Sequence, residues 1–560
     1  MQTFSSRFPF SKNRARFSVF ALCAISFLLA SCTRDSRAPN TLRVVRTTDV
    51  GWLDPARAYD DSSTPYARML YRGLVDYDDN ARIVDDIAQS HTVSSDGKTY
   101  TFKLRPDVYF VRRNGEKLRR VQAEDFRFAL ERVLDPATAS DGMTQYSMIN
   151  GADEYTKARE EKSQKVAHVR GIEVRGDDTI IFKLKQPDAT FLNYLALPFA
   201  YALPREVVSK LKDPKDLSEN PLGSGPFLLD EWVHDGWIHF KRNPHYYKKG
   251  FPKTERVEIQ IGVSPTLQTM LFEQGRTDTL SLTEANAPEY LRFAQNPQWK
   301  SVMQHAPMMD VRYLCMNTEL KPFNDVRVRQ AMNYAIDRDR IVSFLAGRAT
   351  KARGALPPGM PAFNDKLFQY AYDPEKARQL LREAGYAKGF GKPITLWYSN
   401  AAPWVAMAAQ SIQQDLRKVG IVVSTKQTTY SDLKAKAGQR KNIELSMMGW
   451  LQDFTDPSNF LDNLFHSRSI SALSSRNRAF YSNPKVDQLL NAAIGETDTV
   501  KRLKMYQDAE TIIVRDAPWG FLHHTERYAL RQPWISGYTL HPMWSERYET
   551  VRVDDARRGF

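Results

Sequence analysis

The sequence predicts an α/β protein built from more than one lobe. Strand-rich and helix-rich stretches alternate along the chain on a scale of about 100 residues, which is typical of mixed α/β architecture. Loss of residues 1–31 as a leader would leave 529 of the 560 residues, a length that exceeds a single hydrophobic core. Charged residues make up 26% of the chain and aromatic residues 11%, as in ordinary globular proteins.

The N-terminal stretch has the pattern of an export signal. A basic front precedes an apolar run at 17–30 that is too short to span a membrane comfortably. Residues 29–32, Leu-Ala-Ser-Cys, match the bacterial lipobox, which implies cleavage before Cys32 and lipidation of its thiol. The basic residues of the front are Arg7, Lys12, Arg14 and Arg16.

Two alternatives remain for this segment: an uncleaved short anchor, or a cleaved signal in which Cys32 is incidental. Lipidation predicts a protein held at a bacterial membrane, in the periplasm or at the cell surface. Thr33 follows the cysteine, whereas an Asp there retains many Gram-negative lipoproteins at the inner membrane. The sequence therefore favours the outer membrane if the source is Gram-negative.

The first elements after the leader can be read in order. Residues 33–40 are polar and aperiodic, which predicts a flexible tether. Alternation over 41–48 predicts a first strand, and 62–74 predicts a helix with one apolar side. That side comprises Tyr66, Met69, Leu70 and Leu74.

Later elements carry clearer boundaries. Ser-Asp-Gly-Lys at 95–98 is a hairpin signal before a strand at 99–104, and a similar turn precedes a strand at 179–184. A helix begins at Asp373, a plausible N-cap, and ends at Gly385. Short strands with turns dominate 76–204, and helices between strands follow.

Cysteine and charge usage exclude several classes of protein. Apart from Cys23 in the leader and Cys32, the only thiol is Cys315, so the mature chain cannot hold an internal disulfide. Cys315 stands in an apolar, strand-like run, which predicts a buried and inert side chain. The formal net charge of +14 falls to +10 without the leader, and the basic residues are scattered; nucleic-acid binding is not expected.

Catalytic and metal-binding motifs are missing from the sequence. It contains no His-Glu-x-x-His, no Gly-x-Ser-x-Gly and no Walker loop, so neither an enzyme nor a cofactor is predicted. His523 and His524 are adjacent on a predicted strand and would point to opposite faces, so they would not share a metal ion.

Eight short segments in a fixed order carry a family resemblance. They are SDGKTYTFKLR (95–105), NG (114–115), AEDF (123–126), NPLGSGPF (220–227), RNPHYY (242–247), FNDVRVRQA (323–331), AIDR (335–338) and GWLQDFTDP (449–457). Together they resemble solute-binding protein family 5 of ATP-binding-cassette (ABC) importers, the dipeptide and oligopeptide binders. The resemblance implies a type II periplasmic binding fold, with ligand held between two lobes that close by hinge motion.

The resemblance also implies how the chain is divided. The first lobe would be discontinuous, and the second would be a single stretch. The expected parts are a lipoprotein signal at 1–31, a tether at 32–40, lobe I at 41–75, 205–305 and 525–560, an inserted subdomain at 76–204, and lobe II at 306–524. The expected partners are a peptide ligand, an inner-membrane ABC permease with its ATPase subunits, and the membrane through lipid on Cys32, for a protein that is itself a monomer.

One predicted ligand contact lies in the Gly-Trp-x-x-Asp segment. In related peptide binders its Asp pairs with the α-ammonium of the peptide, a role that implies Asp453 here, with Gly449 and Trp450 matching the motif. A desolvated ammonium needs a charged acceptor, and an indole offers a broad apolar wall. The alternative is that Asp453 is a turn residue before Asp456 and Pro457.

Two other segments are candidate contacts. Residues 60–64 align with a segment whose backbone contacts ligand in relatives, and main-chain contacts would suit broad specificity. Residues 282–286 are a weaker candidate. The residues singled out in these segments are Asp61, Ser62, Ser63, Thr64 and Asn286.

Two departures from the family limit what carries over. Leu451 stands where some relatives have a cysteine beside the motif, and Met447 stands where some oligopeptide binders have Arg. Carboxylate anchoring by that arginine is therefore not implied, and ligand length is left open. Three other functions remain: a nickel or nickel-chelate binder of the same fold, an exported hydrolase, or a surface receptor or adhesin without a transporter.

Overall fold

Within the described residues, three sheets of four or more strands organise the molecule. The computed structural model describes residues 38–60, 62–163, 165–213, 215–283, 285–400 and 402–558. The amino sheet begins with a parallel pair and continues with antiparallel pairs. Its strands, in spatial order, are Thr41–Val45, Arg256–Gln260, Trp237–Arg242 and Phe227–Val233.

The inserted sheet is antiparallel and has its own hydrophobic core. Gly97 adopts a left-handed conformation (φ +67°) in the turn that precedes the strand Thr99–Leu104, as the hairpin signal predicts. The rings of Phe102 and Phe182 meet edge to face inside this core, with centroids 5.8 Å apart. The strands, in spatial order, are Ala88–Val93, Thr99–Leu104, Thr179–Lys183 and Ile172–Arg175.

The large sheet is built around one long strand, Trp519–Arg531. Its first half pairs with Asp310–Met316 and its second half with Met303–Pro307, so two chain segments cross side by side from the large sheet towards the amino sheet. These crossings lie beside the lobe boundaries predicted at 305/306 and 524/525, which stay predictions. The remaining strands are Thr279–Ser281, Leu445–Leu451, Ile394–Ser399, Val423–Thr428 and Ala349–Lys351.

The strand Asp310–Met316 is buried on both faces. Tyr313 and Cys315 belong to the core on one face of the sheet, and Leu314 and Met316 to the core on the other, as the two-residue strand period requires. Cys315 is 2% exposed, and burial raises the pKa of its thiol to about 12. The predicted buried cysteine is thus confirmed.

Helices cover these sheets, and several begin where the sequence predicts. The Asp373 side chain accepts a hydrogen bond from the backbone N–H of Lys376 (2.9 Å), and Gly385 takes a left-handed conformation (φ +86°) just beyond the last turn. The α-helices are Thr64–Leu70, Ala123–Leu134, Ala152–Glu160, Phe191–Ala196, Arg205–Val208, Lys215–Glu219, Pro265–Glu273, Ala287–Gln295, Pro297–Lys300, Val326–Ala335, Arg338–Ser343, Pro374–Glu383, Pro403–Lys418, Tyr430–Ala437, Ser458–Phe465, Pro484–Gly495, Thr499–Asp516 and Asp555–Arg558. Two-stranded ribbons pair Val75–Tyr77 with Ile83–Asp85, Tyr109–Val111 with Lys117–Arg120, Ile535–Ser536 with Arg552–Val553, and Leu540–His541 with Ser545–Glu546.

Two predicted elements are shorter in the structure. The first strand ends at Val45 instead of residue 48, and the first helix spans 64–70 instead of 62–74. The backbone turns extended at Tyr71, and Gly73 then packs so closely that a Cβ there would lie 3.0 Å from the ring of Tyr201. Tertiary packing against Tyr201, and not local helix propensity, accounts for this early end.

Candidate ligand-binding site

The strand Leu445–Leu451 leads into the segment with the predicted ammonium site. Gly449 lies opposite Arg312 on the neighbouring strand, and a Cβ on Gly449 would lie 2.8 Å from Arg312 Nη1. A side chain at position 449 would therefore push the arginine from its path across the strand. Arg312 Nε donates to Oδ2 of the fully buried Asp310 (2.9 Å), which holds the guanidinium group in place.

A single amide joins Trp450 to Asp453. Asn459, fully buried on the helix Ser458–Phe465, accepts at Oδ1 from the Trp450 Nε1–H (3.0 Å) and from the Asp453 backbone N–H (3.0 Å). Its Nδ2 donates to Asp453 Oδ2 (3.1 Å). Asn459 thus fixes the indole of Trp450 and the carboxylate of Asp453 relative to each other.

A residue far away in the sequence reaches the Asp453 carboxylate. The half-buried Tyr59 hydroxyl hydrogen-bonds to Asp453, and the pKa of Tyr59 is raised, first by burial and then by the negative charge of that carboxylate. The Tyr59 ring packs against Phe199, with centroids 4.9 Å apart. Asp453 therefore faces the part of the chain that carries the amino and inserted sheets.

The residues on either side of Asp453 also contact other parts of the chain. Phe454 is 2% exposed and belongs to the core of the inserted sheet, where its ring meets Tyr194 edge to face with centroids 4.9 Å apart. Gln452 Nε2 donates to the backbone carbonyl of Pro542 (3.1 Å). The segment after the strand therefore contacts the core of the inserted sheet through Phe454 and the C-terminal part of the chain through Gln452.

A second group of predicted residues lines a separate cavity of about 460 Å³. Ser62 lies on one wall, and Thr283 with Ala285 on another. Arg46 stands inside with a buried acidic partner, Glu546, and its Nη2 also donates to the Tyr548 hydroxyl (2.7 Å). The cavity thus unites two of the predicted segments, 60–64 and 282–286, beside the crossings of the chain.

Several predicted contact residues have structural bonds of their own. The buried Ser63 Oγ accepts from the backbone N–H groups of Gly51 (3.2 Å) and Trp52 (3.1 Å), and Thr64 Oγ1 donates to the Ala58 carbonyl (2.9 Å). Asn286 is exposed and caps the helix Ala287–Gln295, because its Oδ1 accepts from the backbone N–H of Glu289 (2.9 Å). These side chains are engaged in the fold, and their contact with ligand stays a prediction. Asp61 and Cys32 lie outside the described residues.

The adjacent histidines face different surroundings. His524 Nδ1 is bonded to the carbonyl of Asp310 (2.7 Å), whereas the His523 ring packs edge-on against Trp404 with centroids 5.0 Å apart. Burial lowers the pKa of His523 to about 3.

In the described part of the chain no cluster of three or more His, Cys, Asp and Glu residues has metal-binding geometry. Nor does any helix there combine the length and apolarity needed to cross a membrane.

Comparison with known proteins identifies the family. The model for bacterial extracellular solute-binding proteins, family 5, middle region, matches residues 82–472. The chain belongs to this family. This solute-binding protein is 29% identical to a heme-binding protein of Haemophilus influenzae, over 96% of its own length and 99% of the relative. It is 29% identical to a dipeptide-binding protein of Escherichia coli, over 89% of this chain and 90% of the relative. It is 30% identical to a glutathione-binding protein of Pectobacterium atrosepticum, over 88% of this chain and 90% of the relative.

Solved structures confirm the fold. A periplasmic binding protein of Helicobacter pylori, solved with the peptide STSA and associated with an ABC transporter, is 27% identical with a TM-score of 0.75, over 92% of this chain and 98% of that one. An oligopeptide-binding protein of clavulanic acid biosynthesis superposes with a TM-score of 0.82 at 23% identity, over 92% and 96%. The predicted type II periplasmic binding fold is thereby shown, and the relatives are binding proteins, not enzymes.

The sequence analysis missed two members of the site. Asn459 stands six residues after Asp453, and its buried amide could have been suspected from the polar residue inside the apolar helix pattern of 458–465. Tyr59 gave no such signal, because nothing local connects a tyrosine near the N-terminus with a carboxylate in the last quarter of the chain.

Proposed function

We propose that this solute-binding protein captures peptides and delivers them to an ABC permease, with Asp453 as the receptor for the peptide α-ammonium. The observation that carries the proposal is the Asp453 carboxylate. Asn459 orients it, Tyr59 faces it, and it lies in the gap between the large sheet and the inserted sheet. A carboxylate held in a closed, partly dehydrated gap suits a charged ammonium better than a neutral group.

The ligands named for the relatives agree with this chemistry. Dipeptides and glutathione each carry a free α-ammonium group, and the relatives that bind them match about nine-tenths of this chain. Heme has no such group, although a heme-binding relative matches the chain over 96% of its length. Blocking the amine of a peptide therefore separates the proposed mode of binding from a heme-like one.

We further propose that lipid on Cys32 holds the protein at a membrane. Asn40 is fixed to the folded body, since its backbone N–H donates to Asp555 Oδ2 (2.6 Å) and its Nδ2 to the carbonyl of Lys253 (2.6 Å). Cys32 and Asn40 are eight steps apart along the chain, so the tether reaches at most about 28 Å. That reach keeps a monomer close to the membrane that carries its lipid. An inner-membrane anchor would hold it beside the permease, whereas the outer membrane, which Thr33 favours in a Gram-negative source, would hold it away from the permease.

The ammonium site is tested by calorimetry on the mature protein in detergent. Native mass spectrometry first identifies any retained ligand. Free and N-acetylated forms of one peptide are then compared on wild type and Asp453→Ala. Loss of the counter-charge to a buried ammonium costs about 3–5 kcal/mol, or two to four decades of affinity. N-acetylation of the peptide should have a similar effect on wild type.

The matched control is Asp365→Ala, which removes an exposed aspartate. It should bind like wild type, and thermal melting should show all variants folded. Equal affinity for free and acetylated peptide, together with normal binding by Asp453→Ala, would place the amine site elsewhere or indicate a non-peptide ligand.

A further inference from the structure

A second cavity adjoins the Asp453 site. It measures about 500 Å³ and lies between the inserted sheet and the helix Ser458–Phe465. On the inserted side it is lined by Lys185, Asp188, Thr190 and Tyr194, and on the helix side by Ser458 and Asp462 among others. The cavity therefore lies between the same two parts of the chain that enclose Asp453.

Two structural links place the cavity beside the Asp453 site. Tyr194 lines the cavity, and its ring packs against Phe454, the residue after Asp453. The helix that supplies Ser458 and Asp462 also supplies Asn459, the residue that orients Asp453. Positions 458 and 462 lie one turn apart on the same helix face, so both side chains reach the same wall.

Two buried oxygens in this wall have no hydrogen-bond partner among the described residues. They are Ser458 Oγ and Asp462 Oδ2, on side chains whose residues are 6% and 7% exposed. The other carboxylate oxygen, Asp462 Oδ1, accepts from Arg468 Nη2 (2.8 Å). The Tyr506 hydroxyl, itself without a partner at bonding distance, is directed at the Asp462 carboxyl closely enough to lower its pKa. Unpaired buried oxygens are costly, so a further donor is favoured at both oxygens.

Two cations and two carboxylates line the cavity, so what matters is which of them already have partners. Lys185 is engaged by Asp153, and Arg468 by Asp462 Oδ1. Asp188 forms no ion pair in the described part of the chain; its Oδ1 accepts from the backbone N–H (2.9 Å) and hydroxyl (2.6 Å) of Thr190. The lining cations are thus already paired, while Asp188 has no ion pair in the described part of the chain and Asp462 Oδ2 has no donor at bonding distance.

We propose that this cavity receives a cationic side chain of the bound peptide, lysine or arginine, with Asp462 as its counter-charge. The proposal rests on the peptide-binding function proposed above. An ammonium or guanidinium group would supply donors to the unpaired oxygens of Ser458 and Asp462, and an acidic side chain would be repelled.

This assignment carries a pH dependence. Burial raises the pKa of Asp462 to about 7, with Asp456 raising it further and Arg468, Arg502 and the Tyr506 hydroxyl lowering it. A cation binds the ionised carboxylate, so preference for a cationic peptide should grow from pH 6 to pH 8. Asp188, on the opposite wall, also has a raised pKa through burial and would act in the same direction.

The test compares lysine with norleucine, which has a similar apolar stem and no charge. Affinities of Lys-Ala, Nle-Ala, Ala-Lys and Ala-Nle are measured by calorimetry at pH 6 and pH 8 on the full mature protein. In one of the two positions, lysine should bind about tenfold more tightly than norleucine at pH 8. Asp462→Asn should reduce that ratio to within about twofold, whereas the exposed control Asp365→Asn should preserve it.

Each other result has a distinct meaning. Equal affinity for lysine and norleucine peptides in both positions, unchanged by Asp462→Asn, would overturn the cationic subsite and leave the peptide-binding function standing. Failure of all four peptides to bind would overturn both. If Asp462→Asn does not fold, Asp188→Asn and the wild-type ratio at the two pH values decide, and a ratio independent of both would refute the assignment.

Discussion

Replacing Asn459 by leucine removes the clamp that holds the candidate site together. The substitution deletes the acceptor used by Trp450 Nε1 and by the Asp453 N–H, each at 3.0 Å, and the donor to Asp453 Oδ2 at 3.1 Å. Leucine has a similar volume, so no large cavity forms at this buried position. The perturbation is therefore mainly the loss of three hydrogen bonds.

The magnitude follows from those bonds. Two neutral hydrogen bonds contribute about 1 kcal/mol each, more if their donors stay buried without a partner, and the bond to the carboxylate about 1.5–3 kcal/mol. Water can reach the half-buried Trp450, which limits the first loss. We expect Asn459→Leu to lower the free energy of unfolding by about 3–5 kcal/mol. Peptide affinity should fall about 10- to 100-fold, less than in Asp453→Ala, because the carboxylate remains but is no longer held in place.

Thermal melting and calorimetry measure the two effects. The matched control is Asn442→Leu, an exposed asparagine whose Nδ2 contacts only the Gln439 side chain (2.8 Å) among the contacts described. If Asn459→Leu melts with the control and binds peptide like wild type, the amide does not organise the site. Loss of stability with unchanged affinity would separate the fold from the function and would refute the role of Asn459 in placing Asp453.

Two further predictions concern anchoring and pH. Cys32→Ala should release the protein from membranes or leave it unprocessed in cell fractionation; a processed variant that fractionates like wild type would contradict lipidation. Glu510 is buried, and burial raises its pKa to about 7 although its carboxylate accepts from the Leu356 N–H (2.8 Å). Because the folded pKa lies above the unfolded one, its stabilising contribution is complete below about pH 4.5 and is lost as the pH rises through 7. Urea unfolding should therefore show Glu510→Gln gaining up to about 3 kcal/mol on wild type between pH 4.5 and pH 8; a constant difference would argue against this.

Local signals in the sequence predicted local structure well. The cap at Asp373 and the turn at Gly97 follow from side-chain and backbone preferences that act within a few residues. The end of the first helix did not follow from such preferences. Leu74 continues the apolar periodicity, yet the chain leaves the helix after Leu70, because Gly73 must pass close to Tyr201. Long-range packing overrode the helix pattern there.

The same distinction separates the parts of the candidate site. Asp453 and Trp450 belong to one short motif, so a family resemblance could single them out, and their link through Asn459 spans only nine residues. The approach of Tyr59 depends on how distant parts of the chain fold against each other. Asn286 shows that a matching segment does not reveal what its side chain does. Its position fits a ligand-binding segment, but its side chain accepts a hydrogen bond from a backbone N–H in the first turn of a helix.

The helix Ser458–Phe465 sets the spacing between the two proposed subsites. Asp456, just before it, forms a two-bonded ion pair with Arg502 (2.8 Å each), and both side chains are 8% exposed, which fixes the start of the helix. Asn459 and Asp462 are then three residues apart, about 4.5 Å along the axis. One turn of this helix therefore carries both the residue that orients Asp453 and the residue that lines the cavity. We therefore place the proposed cationic side chain on a residue near the amino terminus of the peptide, which is why lysine stands in the first and second positions of the test peptides.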